Sequence, residues 1–377
     1  MKTLFVSLDV AHRNGGIQRF DQRVVRALEE ICGRPPVAIG LRDHADAHCP
    51  NAVTRVDGCG GSKSRLVRRF VRHLISADPD TILFGHVMLA PLAAIARVLR
   101  PGARKLLFVH GIDVWNDPAY HALSRIERRA LRSWIDGIVS VSQFTLDRLH
   151  SAVPNLSKPQ WVLPNAVDLA ESVDRDLIPS TGLPQILTVS RLDEMGKGVG
   201  TALRAISRVV KRFGPVRFVV VGDGKMRGEC ERIAAETGAA AYTHFVGRVS
   251  DEELDKHYRQ SQVFLLPSTK EGFGIVYLEA WMRGLPVIAG NVDASREVID
   301  DGLNGLIVDP NDSHAVADAV VRVLRDPAAG LAMGRAGREK AIGKYAHHRF
   351  VARLRNLLVC PEEPALHTGV ANLEGAR

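Results

Sequence analysis

The chain has 377 residues, 46% of them apolar and 24% charged, with a formal net charge of +8. That length allows two domains with separate cores, and the composition excludes disordered and fibrous classes. No apolar run reaches the ~18 residues of a membrane span, and MLAPLAAIARVL meets Arg97 too early. The charge is lopsided: residues 1–170 carry 23 Lys and Arg against 15 Asp and Glu, whereas the remainder carries 27 of each. An anionic partner is therefore expected for the first half. The five cysteines are scattered and lack a C-x-x-C, which suits a reducing cytoplasm.

Taken in order, the first apolar run is TLFVSL, too short and too soon followed by Asp9 for a secretory signal, and read as a strand. NGGIQRF follows, a glycine pair at a helix start, where Gly15 and Gly16 allow close approach to a phosphate. SRLVRRFVRHLI (64–75) places Leu66, Val67, Phe70, Val71, Leu74 and Ile75 on one stripe, with Arg65, Arg68, Arg69 and Arg72 off it. Such a helix rests on anionic lipid or packs on its own sheet. Asp78 and Asp80 form a D-x-D at the amino end of the strand TILFGH, away from any ligand crevice, and no metal is expected there. The strands KLLFVH and GIVSVS complete the half; His110 ends the former, where a histidine is commonly just a hydrogen-bonded structural residue.

A proline-containing stretch at 162–185 reads as the connection between halves. Strands at QILTVS, RFVVVG, VFLLPS, PVIAG and GLIVD then alternate with amphipathic segments, predicting parallel sheets covered on both faces. Arg191 and Lys197 follow QILTVS in a short glycine-containing loop, two cations suited to a diphosphate. KEGFGIVYLEA (270–280) follows VFLLPS and opens a helix. There the N–H groups of Phe273, Gly274, Ile275 and Val276 suit phosphate or sugar oxygens. Glu271 suits sugar hydroxyls, and Glu279, leaning back toward the helix start, suits the two hydroxyls of a ribose. A charged first turn plus one surface glutamate explains the same stretch when it is taken alone.

Together, SRL…KG (190–198), VVGDG (220–224), FVGRVSDEEL (245–254), VFLLPSTKEGFGIVYLEAWMRGLPVIA (263–289) and EVIDDGLNGLIVDP (297–310) resemble the retaining nucleotide-sugar glycosyltransferases of family 4. NGGIQRF, FVHG (108–111), VSVSQFTLDRL (139–149) and VLPNAVDL (162–169) extend the resemblance more loosely into the first half. It implies a GT-B fold: two Rossmann-like, doubly wound parallel-sheet domains facing across a cleft. The expected division is an acceptor-side domain at 1–168 with a returning segment at 346–360, a donor domain at 169–345, and a loosely held tail at 361–377. The resemblance further implies that Arg191 and Lys197 hold the donor diphosphate, Glu279 the ribose, and Glu271 with the amides from Phe273 to Val276 the sugar and phosphate. Gly247, Arg248 and Val249 would border the base, Gly16 would approach the phosphates, and His110 would stand near the transferred sugar. One departure stands out: Asp293-Ala294 replaces the Gly-Gly often found before SREVI, near the donor sugar in relatives.

The expected activity is transfer of a hexose, with retention and without a metal, to a saccharide or lipid-linked saccharide in cell-envelope or exopolysaccharide assembly. No cofactor beyond the nucleotide sugar, and no nucleic acid, is expected; peripheral contact with the inner face of an anionic membrane stays open beside packing of the basic helix on its own sheet. Two alternatives stay open, a non-catalytic nucleotide-sugar-binding protein and a GT-B nucleotide-sugar epimerase.

Overall fold

The computed structural model describes residues 1–11, 15–45, 47–118, 120–169 and 182–359. The expected tail at 361–377 and residues 170–181 of the connection between halves lie outside these. The first half forms eight strands: β1 (Thr3–Ser7), β2 (Val37–Gly40), β3 (Ala47–His48), β4 (Arg55–Gly58), β5 (Thr81–Phe84), β6 (Arg104–Val109), β7 (Gly137–Ser140) and β8 (Gln160–Val162). They lie in the order β3-β4-β2-β1-β5-β6-β7-β8, parallel except where β3 meets β4. The second half supplies β9 (Gln185–Val189), β10 (Arg217–Val221), β11 (Thr243–Gly247), β12 (Val263–Leu266), β13 (Val287–Gly290) and β14 (Gly305–Val308). Their order is β11-β10-β9-β12-β13-β14, parallel throughout.

TILF of β5 and VFLL of β12 are buried along their length, as helices on both faces demand of central parallel strands. The two doubly wound sheets are those of the expected GT-B fold. Winding reverses between β1 and β5 in one sheet and between β9 and β12 in the other, and a ligand crevice opens beyond the carboxyl ends of such strand pairs. The helices follow from spacing. Gly16–Cys32 turns Phe20, Val24, Ala27 and Leu28 inward and stops at Gly33 in the left-handed region. Val199–Phe213 buries Ala202, Leu203, Ile206 and Val209.

Five strands do not stand out in the sequence: β2, β3, β4, β8 and β11. β3, β8 and β11 lie at or next to sheet edges, where one flank is unpaired and runs are short and polar; β11 alternates exposed and half-buried residues along THFVG. β2 and β4 are four residues each, one directly after Pro35-Pro36 and the other containing Asp57.

The basic amphipathic segment forms the helix Lys63–Ser76, and its apolar stripe is divided. Leu66, Phe70 and Leu74 are buried, while Val67 and Ile75 remain 38% and 62% exposed. Arg69, Arg72 and His73 gather around Asp57 of β4. The D-x-D carboxylates are engaged locally, Asp80 by the Lys2 N–H and Asp78 by Arg100. Among the described residues no helix is long and apolar enough to cross a membrane.

The chain passes between the sheets twice, side by side: the Val167 N–H donates to the Tyr345 carbonyl at 2.8 Å. Asp168 there is gripped by Arg23 and Arg26. Beyond Ala346, the helix His347–Val359 returns to the first half, where Phe350 packs edge-on against Phe20 and Arg104 donates to the Leu357 carbonyl.

Candidate functional site

The loops after β9 and β12 meet at the switch point of the second sheet, so Lys197 and Glu271 come together although 74 residues separate them. Lys197 Nζ stands 2.5 Å from Glu271 Oε1 and 3.0 Å from the Lys270 carbonyl. Arg191, in the same loop as Lys197, is 61% exposed and pairs at 3.7 Å with Asp193 instead of with Lys197's partners. The helix Ile275–Met282 begins immediately beyond. Its cap, Gly274, sits at φ +88°, and a side chain there would run into the Tyr277 ring, so glycine is required. The Tyr277 N–H turns back to the Gly274 carbonyl at 3.0 Å, and the N–H groups ahead of it precede any i–4 partner and form the positive end of the helix. Phe273 is buried against Tyr345, while Ile275 and Val276 are half-buried.

Glu279, about one turn along, is buried, and its carboxylate is fully engaged. Tyr258 OH donates to Oε2 at 3.0 Å and Arg19 binds Oε1. The same guanidinium reaches Asp251 at 3.2 Å. Asp251 opens the helix that follows Gly247, Arg248 and Val249, so Arg19 ties Glu279 to the start of that helix. Gly247 ends β11 at φ +75°, Arg248 is exposed and Val249 half-buried.

The first sheet faces this array with the loops after β1, β5 and β6. Gly16 is the first residue of its helix, and a Cβ there would meet nothing within 4 Å, so the protein's own packing does not demand glycine. His110 follows β6. Its Nε2 lies 2.9 Å from the Gly85 carbonyl, which can only accept, so Nε2 carries the proton and Nδ1 keeps a lone pair. Burial lowers its pKa to about 4, so the ring is neutral near pH 7. Asp113 accepts the His110 and Gly111 N–H groups at 3.0 and 2.8 Å and fixes this corner; burial pushes its own pKa up to about 7. Nearby His86, after β5, is buried and its pKa lowered to about 3.

The halves touch through the motif itself. Gly272 lies against the His110 carbonyl and Gly111, and its own carbonyl accepts from Ser142 Oγ at 2.7 Å. Lys270 pairs with Asp117 at 2.6 Å and stands over the Tyr120 ring. Glu297 accepts the N–H groups of Gln143 and Phe144 at the start of the helix Gln143–Ala152. Arg19, Asp117, Tyr120, Ser142, Lys270 and Glu297 were not expected at the site. Each meets a partner more than 100 residues away, and nothing local in the sequence marks such pairs; the one available signal was that Arg19 stands one turn past the glycine pair.

Comparison with known proteins gives concordant results. The family description "Glycosyl transferases group 1" matches residues 171–340, and "Glycosyltransferase Family 4" matches residues 33–171. A GDP-mannose-dependent alpha-(1-6)-phosphatidylinositol monomannoside mannosyltransferase of Mycolicibacterium smegmatis is 33% identical over 381 residues, covering 94% of this chain and 97% of its own. The enzyme of the same description from Mycobacterium tuberculosis is 30% identical over 396 residues, covering 95% and 98%. Among solved structures, sucrose-phosphate synthase from Thermosynechococcus elongatus superposes with a TM-score of 0.79 at 21% identity, covering 95% of this chain and 98% of that one. Anabaena HepE in complex with UDP-glucose gives 0.76 at 19%, covering 95% and 99%.

Proposed function

The chain belongs to the group 1, family 4 glycosyltransferases, and from that premise we propose that it transfers a hexose from a nucleotide diphosphate sugar to a saccharide or lipid-linked saccharide hydroxyl, with retention and without a metal. The observation that carries this reading is the meeting of Lys197 with Glu271 at the β9/β12 switch point, directly across the Gly272 contact from His110. GDP-mannose is the first donor to test, and a mannosylated phosphoinositide the first acceptor, because the relatives that match over nearly their whole length are named for them.

In this reading residues 169–345 take the donor, while residues 1–168 with 346–360 take the acceptor. Glu279 exchanges Arg19 for the ribose hydroxyls, and Gly247, Arg248 and Val249 border the base. Arg191, Lys197 and the amides from Phe273 to Val276 hold the diphosphate, with Gly16 approaching it from the other half. As the bond between the anomeric carbon and the phosphate oxygen lengthens, negative charge grows on that oxygen; Lys197, Arg191 and the helix start stabilise it where a metal serves elsewhere. Glu271 holds the sugar, and neutral His110 offers Nδ1 to a sugar hydroxyl. The acceptor oxygen bonds to the anomeric carbon on the departing face, and its proton passes to the leaving phosphate. The configuration is therefore kept.

A peripheral seat on the cytoplasmic face of the membrane, in cell-envelope assembly, accords with the basic first half and with outward-facing Val67, Ile75 and Val98. Ile75→Glu is expected to weaken co-flotation with phosphatidylglycerol vesicles. The function itself is tested with a donor panel (GDP-mannose, UDP-glucose, UDP-galactose, UDP-N-acetylglucosamine), with and without chelator. Product anomers are read by NMR. No consumption of any donor, or an inverted product, overturns the reading.

A further inference from the structure

Asp293 stands where the family pattern expects glycine, and its side chain is employed. It lies between β13 and the short helix Ser295–Val298, 2% exposed. Oδ2 accepts the Glu271 N–H at 2.8 Å and Oδ1 accepts the Ser295 N–H at 3.0 Å. The following residue, Ala294, returns an N–H to the Glu271 carbonyl at 3.2 Å. Both backbone polar groups of Glu271 are thus held from the 293–294 turn, while its carboxylate is held by Lys197. Glu271 is a loop residue ahead of the helix Ile275–Met282, so no regular ladder would otherwise set its orientation.

We propose that Asp293 is a positioning residue of the donor site: its buried carboxylate fixes the Glu271 backbone so that the Glu271 side chain meets the transferred sugar in one orientation. By the same contact it takes up the Glu271 N–H and leaves the diphosphate to the amides from Phe273 to Val276. The proposal rests on the sugar-holding role given to Glu271 above. A carboxylate can accept two N–H groups at once, one on each oxygen. A protonated carboxyl, or an asparagine, keeps one accepting oxygen there and turns a donor toward the other N–H. Burial, reinforced by the neighbouring Glu271 charge, raises the Asp293 pKa to about 6. The other groups facing it are the Ser295 hydroxyl and the Tyr277 phenol, whose own pKa burial lifts well above its usual value; Lys197 acts through Glu271. The clamp is therefore complete above pH 6 and loosens as the pH falls through that value.

The test measures turnover of GDP-mannose, or of whichever panel sugar the wild type consumes, from pH 5 to 8 in wild type, D293N and E271Q. GDP binding is followed by calorimetry in parallel. D293N, the mimic of the protonated state, should turn over about 100-fold more slowly at pH 7.5, the scale of misplacing a reacting group by about 1 Å. It should also lose the acid limb near pH 6 that the wild type shows, while binding GDP within about threefold of wild type. D293N with near-normal turnover, or with the acid limb intact, overturns the proposal alone when E271Q is inactive. A fully active E271Q overturns the role of Glu271 as well. Should D293N fail to fold, the wild-type profile decides: a limb near pH 6 supports the clamp, and a flat profile from pH 5 to 7 removes it.

Discussion

Gly272→Ala is the sharpest perturbation of the contact between the two halves. A methyl built there falls well inside van der Waals contact distance of the His110 carbonyl oxygen and 3.2 Å from Gly111 Cα. Neither neighbour can easily give way, because Asp113 holds the His110 and Gly111 N–H groups and Gly85 holds the His110 ring. Restoring ordinary contact distances requires the halves to part by about 1 Å. A displacement of that size between a reacting group and its substrate costs about 100-fold in rate. Glu279 and the start of its helix lie within the second half, and the Arg19 side chain that reaches Glu279 from the first half is long enough to follow a separation of about 1 Å. Gly272→Ala should therefore lower turnover by about 100-fold while GDP affinity, by calorimetry, changes by less than about threefold. Small-angle scattering should show a slightly more open particle. Normal turnover in this variant would refute the idea that the Gly272–His110 contact sets the reacting geometry.

Arg191→Ala and Lys197→Ala should each depress turnover by about 100-fold, the scale of one lost charge donor to a leaving group; unaltered steady-state kinetics in both would remove them from the diphosphate. Arg19→Ala frees one oxygen of Glu279, the other staying with Tyr258, so GDP should bind about tenfold tighter, roughly 1.4 kcal/mol. The gain should vanish with 2′,3′-dideoxy-GDP, which has no hydroxyls for Glu279. His86, lowered to about 3, and His110, lowered to about 4, contribute stability that is complete above the unfolded value near 6.5 and lost as the pH falls toward those values. Asp113, raised to about 7, acts in the opposite sense, its contribution fading as the pH rises through 7. The difference between proteins is therefore what counts: His86→Gln should lose less stability than wild type between pH 6.5 and 4.5, by about 1 kcal/mol per pH unit in chemical denaturation.

The central strands and the KEGFG motif were legible because their signals are local. VFLLPS and QILTVS are continuous apolar runs, as strands buried on both faces must be. KEGFG places a glycine where the left-handed conformation at Gly274 needs one. β3, β8 and β11 were not legible, because strands at or beside an edge bury too little to need an apolar run. The contacts between the halves were hidden for a different reason. Arg19 lies 260 residues from Glu279, and Asp117 lies 153 from Lys270, so periodicity and motif spacing carry no trace of either pair. Asp293 shows the mixed case: the sequence flagged the residue as a departure, but only the fold reveals that its carboxylate turns inward onto the Glu271 amide.

The second passage of the chain between the sheets bears on how this enzyme can be dissected. The helix that covers Phe20 is supplied by residues at the far end of the chain, so a fragment cut near residue 168 would expose the seat of Phe350, Val351 and Leu354 as a greasy trough. Anyone wishing to study the amino-terminal lobe alone should therefore graft residues 346–359 back onto it, or expect insoluble material.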